Sequence, residues 1–261
     1  MLAVNCPKIT SIMLKSKNFL KTFFAILFWV LVWEISANLA NQSLLIPIPT
    51  AISTLKTLFV MLKKSEIYIS VFYSLARIII GFLGAVVLGC ACALLTAKVK
   101  FFKLLFSPLL KIVRAVPVAS FIILVFYWMS KDSTPTFIAF LTVLPIIWAN
   151  CEEGILATDK NLLEMAKVMG LKKSQTLKEI IIPSALPFLS SATSTGLGFA
   201  WKSGVAAEVI CRSSNSLGNM LWAGKSAVIY EEVFAVTVVI VLLSFLFEQG
   251  TSLLLKRGKK I

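Results

Sequence analysis

The sequence predicts an all-α integral membrane protein with about six transmembrane helices. Hydrophobic residues make up 58% of its 261 positions and charged residues 15%, and the mean hydropathy is +0.90. This composition is too apolar for a soluble domain of this size. A helix needs about 20 apolar residues to cross the hydrocarbon core of a bilayer. Six stretches approach that length, namely residues 19–40, 73–97, 116–129, 134–149, 186–210 and 233–255.

The first stretch is preceded by lysines, as a secretory signal peptide would be. Its apolar region is long, its small-residue cleavage pattern is poor, and further spans follow, so we interpret it as an uncleaved transmembrane helix. Glu34 lies near the far end of this helix. Because a carboxylate at the bilayer centre costs about 2.5 kcal/mol or more, we expect Glu34 to lie at the membrane interface.

The third and fourth stretches are short, and only residues 130–133 separate them. Short spans joined by so few residues predict a tight helical hairpin. Pro117 and Pro145 are expected at the ends of this hairpin.

Small residues recur at every fourth position in the second and fifth stretches. Lipid tails are as apolar as leucine, so helices in a membrane associate largely by close backbone approach, which ridges of small residues permit. Ordinary helix packing explains most such ridges, and we expect these two spans inside the bundle. The ridges consist of Gly81, Ala85, Gly89 and Ala93 in the second stretch and Ala192, Gly196, Ala200 and Gly204 in the fifth.

The fifth stretch is also more polar than the other spans, and polar groups at membrane depth usually face a cavity or a partner helix. Lys202 and Glu208 lie six residues apart, on different faces of a helix, so we do not expect them to pair directly. A cavity-facing Lys202 would attract an anion, whereas a lysine in mid-span can also pair with a neighbouring helix or another subunit. Candidates for a translocation pathway are Thr195, Lys202, Ser203 and Glu208.

The formal net charge of +14 suggests nucleic acid, but the positions of the basic residues favour a topology signal. They collect before the first stretch, between the second and third, between the fourth and fifth, and after the sixth. In a six-span protein these segments share one side. Because cytoplasmic loops carry an excess of lysine and arginine, both termini are predicted in the cytoplasm, and no nucleic-acid partner is expected.

The chain has five cysteines and no histidine. Cys90 and Cys92 share a helix but point to different faces, and the other cysteines are scattered, so no metal or redox spacing is visible. Without histidine, the usual ligand of haem or zinc and the commonest general base are missing. We expect no catalytic residue, metal or cofactor, and we interpret the cysteines as small apolar packing residues.

A charged segment between the fourth and fifth stretches predicts two short amphipathic helices, residues 161–169 and 174–182. Gly170 lies between them, where a residue without Cβ can adopt positive φ and turn the chain. Ser174 is predicted to cap the second helix, and Pro183 to close it. With an apolar side and a lysine-rich side, the pair suits docking on another protein, but the pattern also fits a solvated cytoplasmic hairpin.

The charged segment resembles the cytoplasmic loop of bacterial ABC-type importer permeases, the inner-membrane components of binding-protein-dependent transport. The family pattern is E-A-A, three residues, G, nine residues, I-x-L-P. Met165 replaces the second-position alanine and Ile182 the leucine, and both departures are mild. The matching residues are Glu164, Ala166, Gly170, Ile180 and Pro183.

Further motifs are similar to the nitrate, sulfonate and taurine branch of that family, and the resemblance covers about residues 29–248. They are Trp33-Glu34, Ile46-Pro47-Ile48-Pro49, Ser74-Leu75-Ala76-Arg77 with Gly81-Phe82, Ser107-Pro108-Leu109-Leu110 with Arg114 and Pro117, and Trp201 with Ala206-Ala207-Glu208. The resemblance divides the chain into a cytoplasmic tail (1–18), a first helix with an external segment (19–72), an ABC type-1 transmembrane domain (73–255) and a basic cytoplasmic tail (256–261). The coupling loop would span residues 158–186.

The resemblance implies a multi-pass protein of the bacterial cytoplasmic (inner) membrane. It also implies a type-I importer permease fold in which two copies form the pathway. The loop of each copy would dock on a cytoplasmic ABC ATPase dimer, and an extracytoplasmic solute-binding protein would deliver the substrate. The sequence contains no G-x-x-x-x-G-K-[ST] phosphate-binding motif, which is consistent with ATP hydrolysis on a separate chain and with a subunit that is not itself an enzyme.

The resemblance also implies a mechanism and a range of substrates. Closure of the ATPase would move the loop about Gly170, and Glu164 would start the docking helix, where negative charge suits the helix dipole. The branch handles nitrate, sulfonates, taurine, bicarbonate and vitamin precursors, and Lys202 favours an anion. The alternative is an ion-coupled secondary transporter, but the two halves of the chain do not mirror each other in length or motif, and Glu34 and Glu208 are poor candidates for a proton relay.

Overall fold

The computed structural model describes residues 7–42 and 47–258, with side chains for residues 21–42 and 47–250. All regular elements in these ranges are helices. Ile46 of the predicted loop motif, Cys6 and parts of the predicted tails 1–18 and 256–261 lie outside the described residues. The helices are α1 (Pro7–Ala40), α2 (Ala51–Met61), α3 (Ser65–Lys98), α4 (Lys100–Ala115), α5 (Val118–Phe126), α6 (Thr134–Leu156), α7 (Lys160–Val168), α8 (Lys173–Thr176), α9 (Ile182–Cys211), α10 (Leu217–Ser226) and α11 (Tyr230–Gly258).

Within the described residues, five helical segments are long and apolar enough to cross a membrane, and a bent pair makes a sixth if it counts as one span. This confirms the predicted all-α membrane fold with about six spans. The segments are Lys21–Ala40, Ser65–Lys98, Thr134–Leu156, Lys173–Cys211 and Tyr230–Gly250, and the bent pair is Lys100–Ala115 with Val118–Phe126.

The centre of the bundle is formed by α3, α6 and α9, with α6 packed along both of the others. The small residues of α3 are buried against α6: a Cβ added at Gly81 would clash with the Thr136 carbonyl oxygen, and one at Gly89 would lie 2.9 Å from Ile147 Cγ2. Any larger side chain would push these two helices apart. Close backbone approach therefore sets the spacing of α3 and α6.

The small residues of α9 face the same centre. A Cβ added at Gly196 would lie 3.1 Å from Val143 Cγ1 of α6, and one at Gly204 would lie 2.5 Å from Ile78 Cγ1 of α3. The two alanines between and beside these glycines are buried as well. The helix thus packs on α6 at its middle and on α3 further along.

The region of the third predicted span differs from expectation. Instead of a helix over residues 116–129, α5 is nine residues long and meets α4 at a bend of 102°. Pro117 causes the break, since it lacks a backbone N–H and holds Val116 in an extended conformation (φ −77°, ψ 131°).

The predicted end of the hairpin at Pro145 is wrong. Helix α6 continues past this buried proline to Leu156. Prolines are tolerated inside membrane helices where neighbouring groups satisfy the backbone groups that they free. The Arg114 guanidinium of α4 donates to the Pro145 carbonyl oxygen, which fastens α4 to α6 at this level.

The end of α1 is fastened to the segment that leads into α2. Trp33 Nε1 donates to the Pro49 carbonyl (3.1 Å), and the Glu34 carboxylate accepts from the Ile52 N–H (3.2 Å) in the first turn of α2. The Asn41 side chain bonds both backbone groups of Ile48. Glu34 therefore lies at a helix N-terminus, where negative charge is favoured.

Candidate functional site

The two-helix loop, defined as residues 158–186, begins at a capped helix. The Asp159 carboxylate accepts from the Asn161 N–H (2.9 Å), and α7 starts at Lys160. The expectation that Glu164 starts this helix is wrong, because the aspartate supplies the cap and Glu164 lies in the second turn. Negative charge is still found at the helix N-terminus, but it belongs to Asp159.

The turn after α7 depends on Gly170, which has φ +68°. Its N–H bonds the Lys167 carbonyl (3.1 Å), and the Leu171 N–H bonds the Ala166 carbonyl (3.0 Å), which together close the helix in a Schellman motif. A Cβ added at Gly170 would meet nothing within 4 Å. Glycine is therefore required here by backbone conformation rather than by lack of space.

The second helix of the loop begins one residue earlier than predicted. Its cap is Lys172, whose N–H donates to the Gln175 side chain at 2.9 Å, and its first helical residue is Lys173. Ser174 is thus inside the helix rather than at its cap, and the predicted capping role for Ser174 is wrong.

Pro183 does not close the second helix, which continues without interruption through α9 to Cys211, over 39 residues. Before the proline the helix widens into a π turn, Leu177–Ile181, and the Ile182 N–H bonds the Leu177 carbonyl. A proline has no N–H for the preceding turn and crowds it, so a local widening lets the helix continue. The loop is therefore directly continuous with a central helix of the bundle.

The loop presents an apolar surface away from the bundle. Ala166 is buried at 1% exposure, whereas Val168 is 89% exposed and Met169 67% exposed. Leu162 and Met165 are also exposed on α7. The lysines of the loop are exposed beside them, and they are Lys167, Lys172, Lys173 and Lys178. Four exposed apolar side chains beside cations form a surface suited to contact with another protein.

A groove of about 430 Å³ lies between the α4–α5 bend, α6 and α9. Lys202 lines it and is exposed, with no hydrogen bond or ion pair to any side chain that the structure describes. Ser203 also lines it, largely buried, and shares a hydrogen bond of 2.9 Å with Thr142 of α6. Thr195 is exposed on α9 but lies outside the lining of the groove.

Arg114 is a second cation of this groove, and we did not single it out as a pathway residue. Sequence spacing gives no reason to place it in the same groove as Lys202, because the two are 88 positions apart on different helices. Its position follows from the break at Pro117, which directs α4 across α6. The one sequence feature that could have indicated its role is that Arg114 is a basic residue shortly before Pro117, where the helix ends.

Glu208 does not line the groove. It is completely buried near the end of α9 opposite the two-helix loop, where it accepts from the Ser74 hydroxyl (2.7 Å) and the Gly218 N–H (3.3 Å). The Arg77 guanidinium lies 3.6 Å from its other oxygen. The structure therefore separates Glu208 from Lys202 and Ser203.

Arg77 joins this carboxylate to the loop before α6. It forms a salt bridge with Asp132 at 3.0 Å and donates to the Ser214 carbonyl at 2.8 Å. The Asp132 carboxylate also accepts from the Ser214 N–H (2.7 Å). An arginine within a predicted span was the signal for this network, since ionisable groups at membrane depth require partners.

A helical bundle with a groove that carries a lysine and an arginine, and with a two-helix loop continuous with a central helix, defines a multi-pass membrane transport subunit. Residues 85–258 match the family described as "Binding-protein-dependent transport system inner membrane component", and the chain belongs to this family. It is accordingly a permease subunit of an ABC importer, a transport component and not the ATPase. Because the chain belongs to this family, the alternative function of an ion-coupled secondary transporter is excluded.

The relatives of this chain are named as ABC transporter permeases, and two of the three described below carry nitrate or sulfonate names from the predicted branch. A probable ABC transporter permease of Brucella melitensis is 27% identical over 168 residues, covering 64% of this chain and 68% of the relative. The nitrate import permease of Synechocystis is 24% identical, covering 69% of this chain and 66% of the relative. A putative aliphatic sulfonates transport permease of Bacillus subtilis is 28% identical, covering 79% of this chain and 74% of the relative.

Solved structures show the same fold. A chain from an amino acid ABC transporter has a TM-score of 0.63 at 18% identity, covering 76% of this chain and 97% of that one. A chain of the inward-facing MetNI methionine ABC transporter has a TM-score of 0.60 at 17% identity, covering 72% and 94%. The predicted type-I importer permease fold is confirmed.

Proposed function

We propose that this subunit imports a small anion, pairs with a second copy, and is driven through residues 158–186 by a cytoplasmic ABC ATPase dimer. The observation that carries the proposal is the uninterrupted helix Lys173–Cys211. This helix contains half of the loop at one end and Lys202 of the groove further along. A displacement of the loop is passed rigidly to the groove, as alternating access requires.

The exposed apolar side chains of α7 support ATPase docking. They lie on a short helix held at a fixed angle by the Asp159 cap and the Gly170 turn, so the surface is rigid before any partner arrives. A preorganised surface loses little conformational entropy on binding. The motif residues divide between this docking helix (Glu164, Ala166), the turn (Gly170) and the link to α9 (Ile180, Pro183).

Two cations in one groove support an anionic substrate. Lys202 is exposed there without a described partner, and Arg114 lines the same groove. Relatives named for nitrate, bicarbonate and aliphatic sulfonates share the family. These substrates are small anions, and a groove lined by lysine and arginine would raise their local concentration. The extracytoplasmic solute-binding protein would deliver them to this groove.

The second copy would close the groove, which one chain leaves open along a side where Phe199 is 53% exposed. The positive-inside bias supports a topology in which residues 158–186 and both termini lie in the cytoplasm of a bacterial cell. The domain division 1–18, 19–72, 73–255 and 256–261 is retained as part of this proposal.

Docking is tested by replacing Val168 with Glu and, as a matched control, with Leu. The buried carboxylate that Val168→Glu would create at an apolar interface should abolish co-purification of the ATPase, identified by mass spectrometry, while the subunit stays in the membrane. Val168→Leu should retain the ATPase. Equal recovery with both variants would contradict docking through α7, and uptake of nitrate, bicarbonate and a sulfonate that persists without any ATPase would overturn the importer itself.

A further inference from the structure

Two cysteines that are far apart in sequence meet in the bundle. Cys90 of α3 and Cys151 of α6 have their sulfur atoms 3.5 Å apart, close enough for one thiol to donate to the other. Both are free thiols. Their separation of 61 residues explains why a search for short cysteine spacings could not detect them.

The packing of α3 on α6 holds the two thiols together. One residue before Cys90, a Cβ at Gly89 would lie 2.9 Å from Ile147, one turn before Cys151. The backbones are thus as close as they can be at this level, and the thiols have little freedom to separate. A disulfide bond requires the sulfur atoms to come to about 2.05 Å, a shift of roughly 1.5 Å that side-chain rotation can supply.

The thiol pair is reachable by a small uncharged reagent. Cys90 is partly exposed and Cys151 is 5% exposed, and both line an apolar groove of about 230 Å³. The same groove is lined by Ile181 of the π turn and Ile182 at the start of α9. Cys92, two residues further along α3, lies outside this groove, so the pair occupies a distinct environment.

We propose that Cys90 and Cys151 form a dithiol redox site that a hydroperoxide oxidises to a disulfide. One sulfur attacks the peroxide oxygen, the O–O bond breaks, and a sulfenic acid forms with release of water or an alcohol. The second thiol then attacks the sulfenic sulfur, the S–S bond forms, and a second molecule of water leaves. The two thiols lose two protons and two electrons in total, and the peroxide takes up both.

The disulfide would fix α3 to α6 beside the segment that joins the two-helix loop to α9. Ile181 and Ile182 move past this wall of the groove if the loop drives α9, so a covalent link there restricts the motion. In a reducing cytosol the pair stays reduced, and it is oxidised only under peroxide stress. This consequence, unlike the redox site itself, rests on the proposed function.

The redox site is tested on the full-length protein in membranes, treated with hydrogen peroxide, blocked with N-ethylmaleimide and digested for mass spectrometry. The expected product is a peptide pair joined through Cys90 and Cys151, lighter by two hydrogens and separated by dithiothreitol. The joined pair should be absent from Cys90→Ala and Cys151→Ala and retained in Cys92→Ala, the matched control. Recovery of both thiols as maleimide adducts after peroxide would overturn the proposal, as would their conversion to sulfinic acids without a joined peptide.

The effect on coupling is measured as ATPase activity of the co-purified complex. Peroxide should lower it several-fold in the wild type and in Cys92→Ala, with recovery in dithiothreitol, and leave Cys90→Ala and Cys151→Ala unchanged. A disulfide that forms without changing the ATPase activity would overturn the restriction of motion alone. If no ATPase co-purifies, the proposed function fails, and the peptide mapping still decides the redox site.

Discussion

Glu208 is a fully buried carboxylate of α9 whose partners come from two other helices, α3 and α10. Ser74 and Gly218 donate to one oxygen, and Arg77 faces the other at 3.6 Å. A Cβ at Gly218 would clash with Glu208 Cβ, so the chain after α9 passes directly over this residue. Burying a charge is costly, and its partners repay that cost only when all of them are present.

We therefore predict that Glu208→Ala destabilises the subunit more than Glu208→Gln does. The alanine leaves the Ser74 hydroxyl, the Gly218 N–H and part of the Arg77 charge without an acceptor, at about 3–5 kcal/mol. The glutamine keeps one oxygen acceptor, so its cost is about 1–3 kcal/mol. Thermal unfolding in detergent measures the order of the two midpoints.

The control for this prediction is Glu179, an exposed carboxylate on the π turn. Its replacement by Ala or Gln should change the unfolding free energy by less than about 0.5 kcal/mol. Equal melting temperatures for the two Glu208 variants would show that the buried network contributes no specific stabilisation.

At the scale of elements, the helix that runs from α8 through the π turn into α9 links the loop to the groove. Two glycines inserted after Ile182 should break this link because glycine is a poor helix former and two residues rotate the helix register. Co-purification of the ATPase should be retained, while uptake of the proposed substrates, namely nitrate, bicarbonate and a sulfonate, should fall to background. Uptake in proteoliposomes and ATPase recovery are measured on the same preparation.

The matched control is the same insertion after Ala227, in the exposed turn between α10 and α11. A loop there tolerates extra residues, so uptake should remain. Normal uptake with glycines after Ile182 would contradict mechanical continuity, and loss of uptake in both insertions would point to general damage.

The features that could be predicted from the sequence are those determined by a local pattern within one element. The ridges at Gly81, Gly89, Gly196 and Gly204 follow from helical spacing alone, and the turn at Gly170 follows from a glycine between two amphipathic segments. Each of these signals lies within one element, so single-sequence reasoning can detect it.

The features that were missed depend on tertiary structure. Pro183 was expected to end a helix, but the π turn and the packing of α9 carry the chain past it. The contact between Cys90 and Cys151, and the position of Arg114 in the groove that Lys202 lines, depend on how α3 and α4 lie against α6 and α9. No local spacing encodes such pairs, because each is set by the crossing of helices that are distant in sequence.

At the scale of the whole molecule, the charged residues lie in three separate regions along α9, one at each end of the helix and one between them. The buried network around Glu208 lies at one end of α9 and the lysine-rich loop lies at the other. The groove with Lys202 and Arg114 lies between them. Ionic groups that are paired stabilise the bundle, whereas Lys202, without a described partner, is available to an anion.

Lys202 is the sharper test of this assignment, because Arg114 also bonds the Pro145 carbonyl and its loss would disturb α6. Replacing Lys202 with Met keeps the apolar length of the side chain and removes the charge. We expect anion uptake to fall about tenfold, since one charge facing a bound anion contributes on that order. Lys202→Arg should keep most of the uptake, and both variants should co-purify the ATPase as the wild type does. Unchanged uptake of nitrate, bicarbonate and a sulfonate by Lys202→Met would remove the electrostatic argument for an anion and leave the groove as a pathway for a neutral solute.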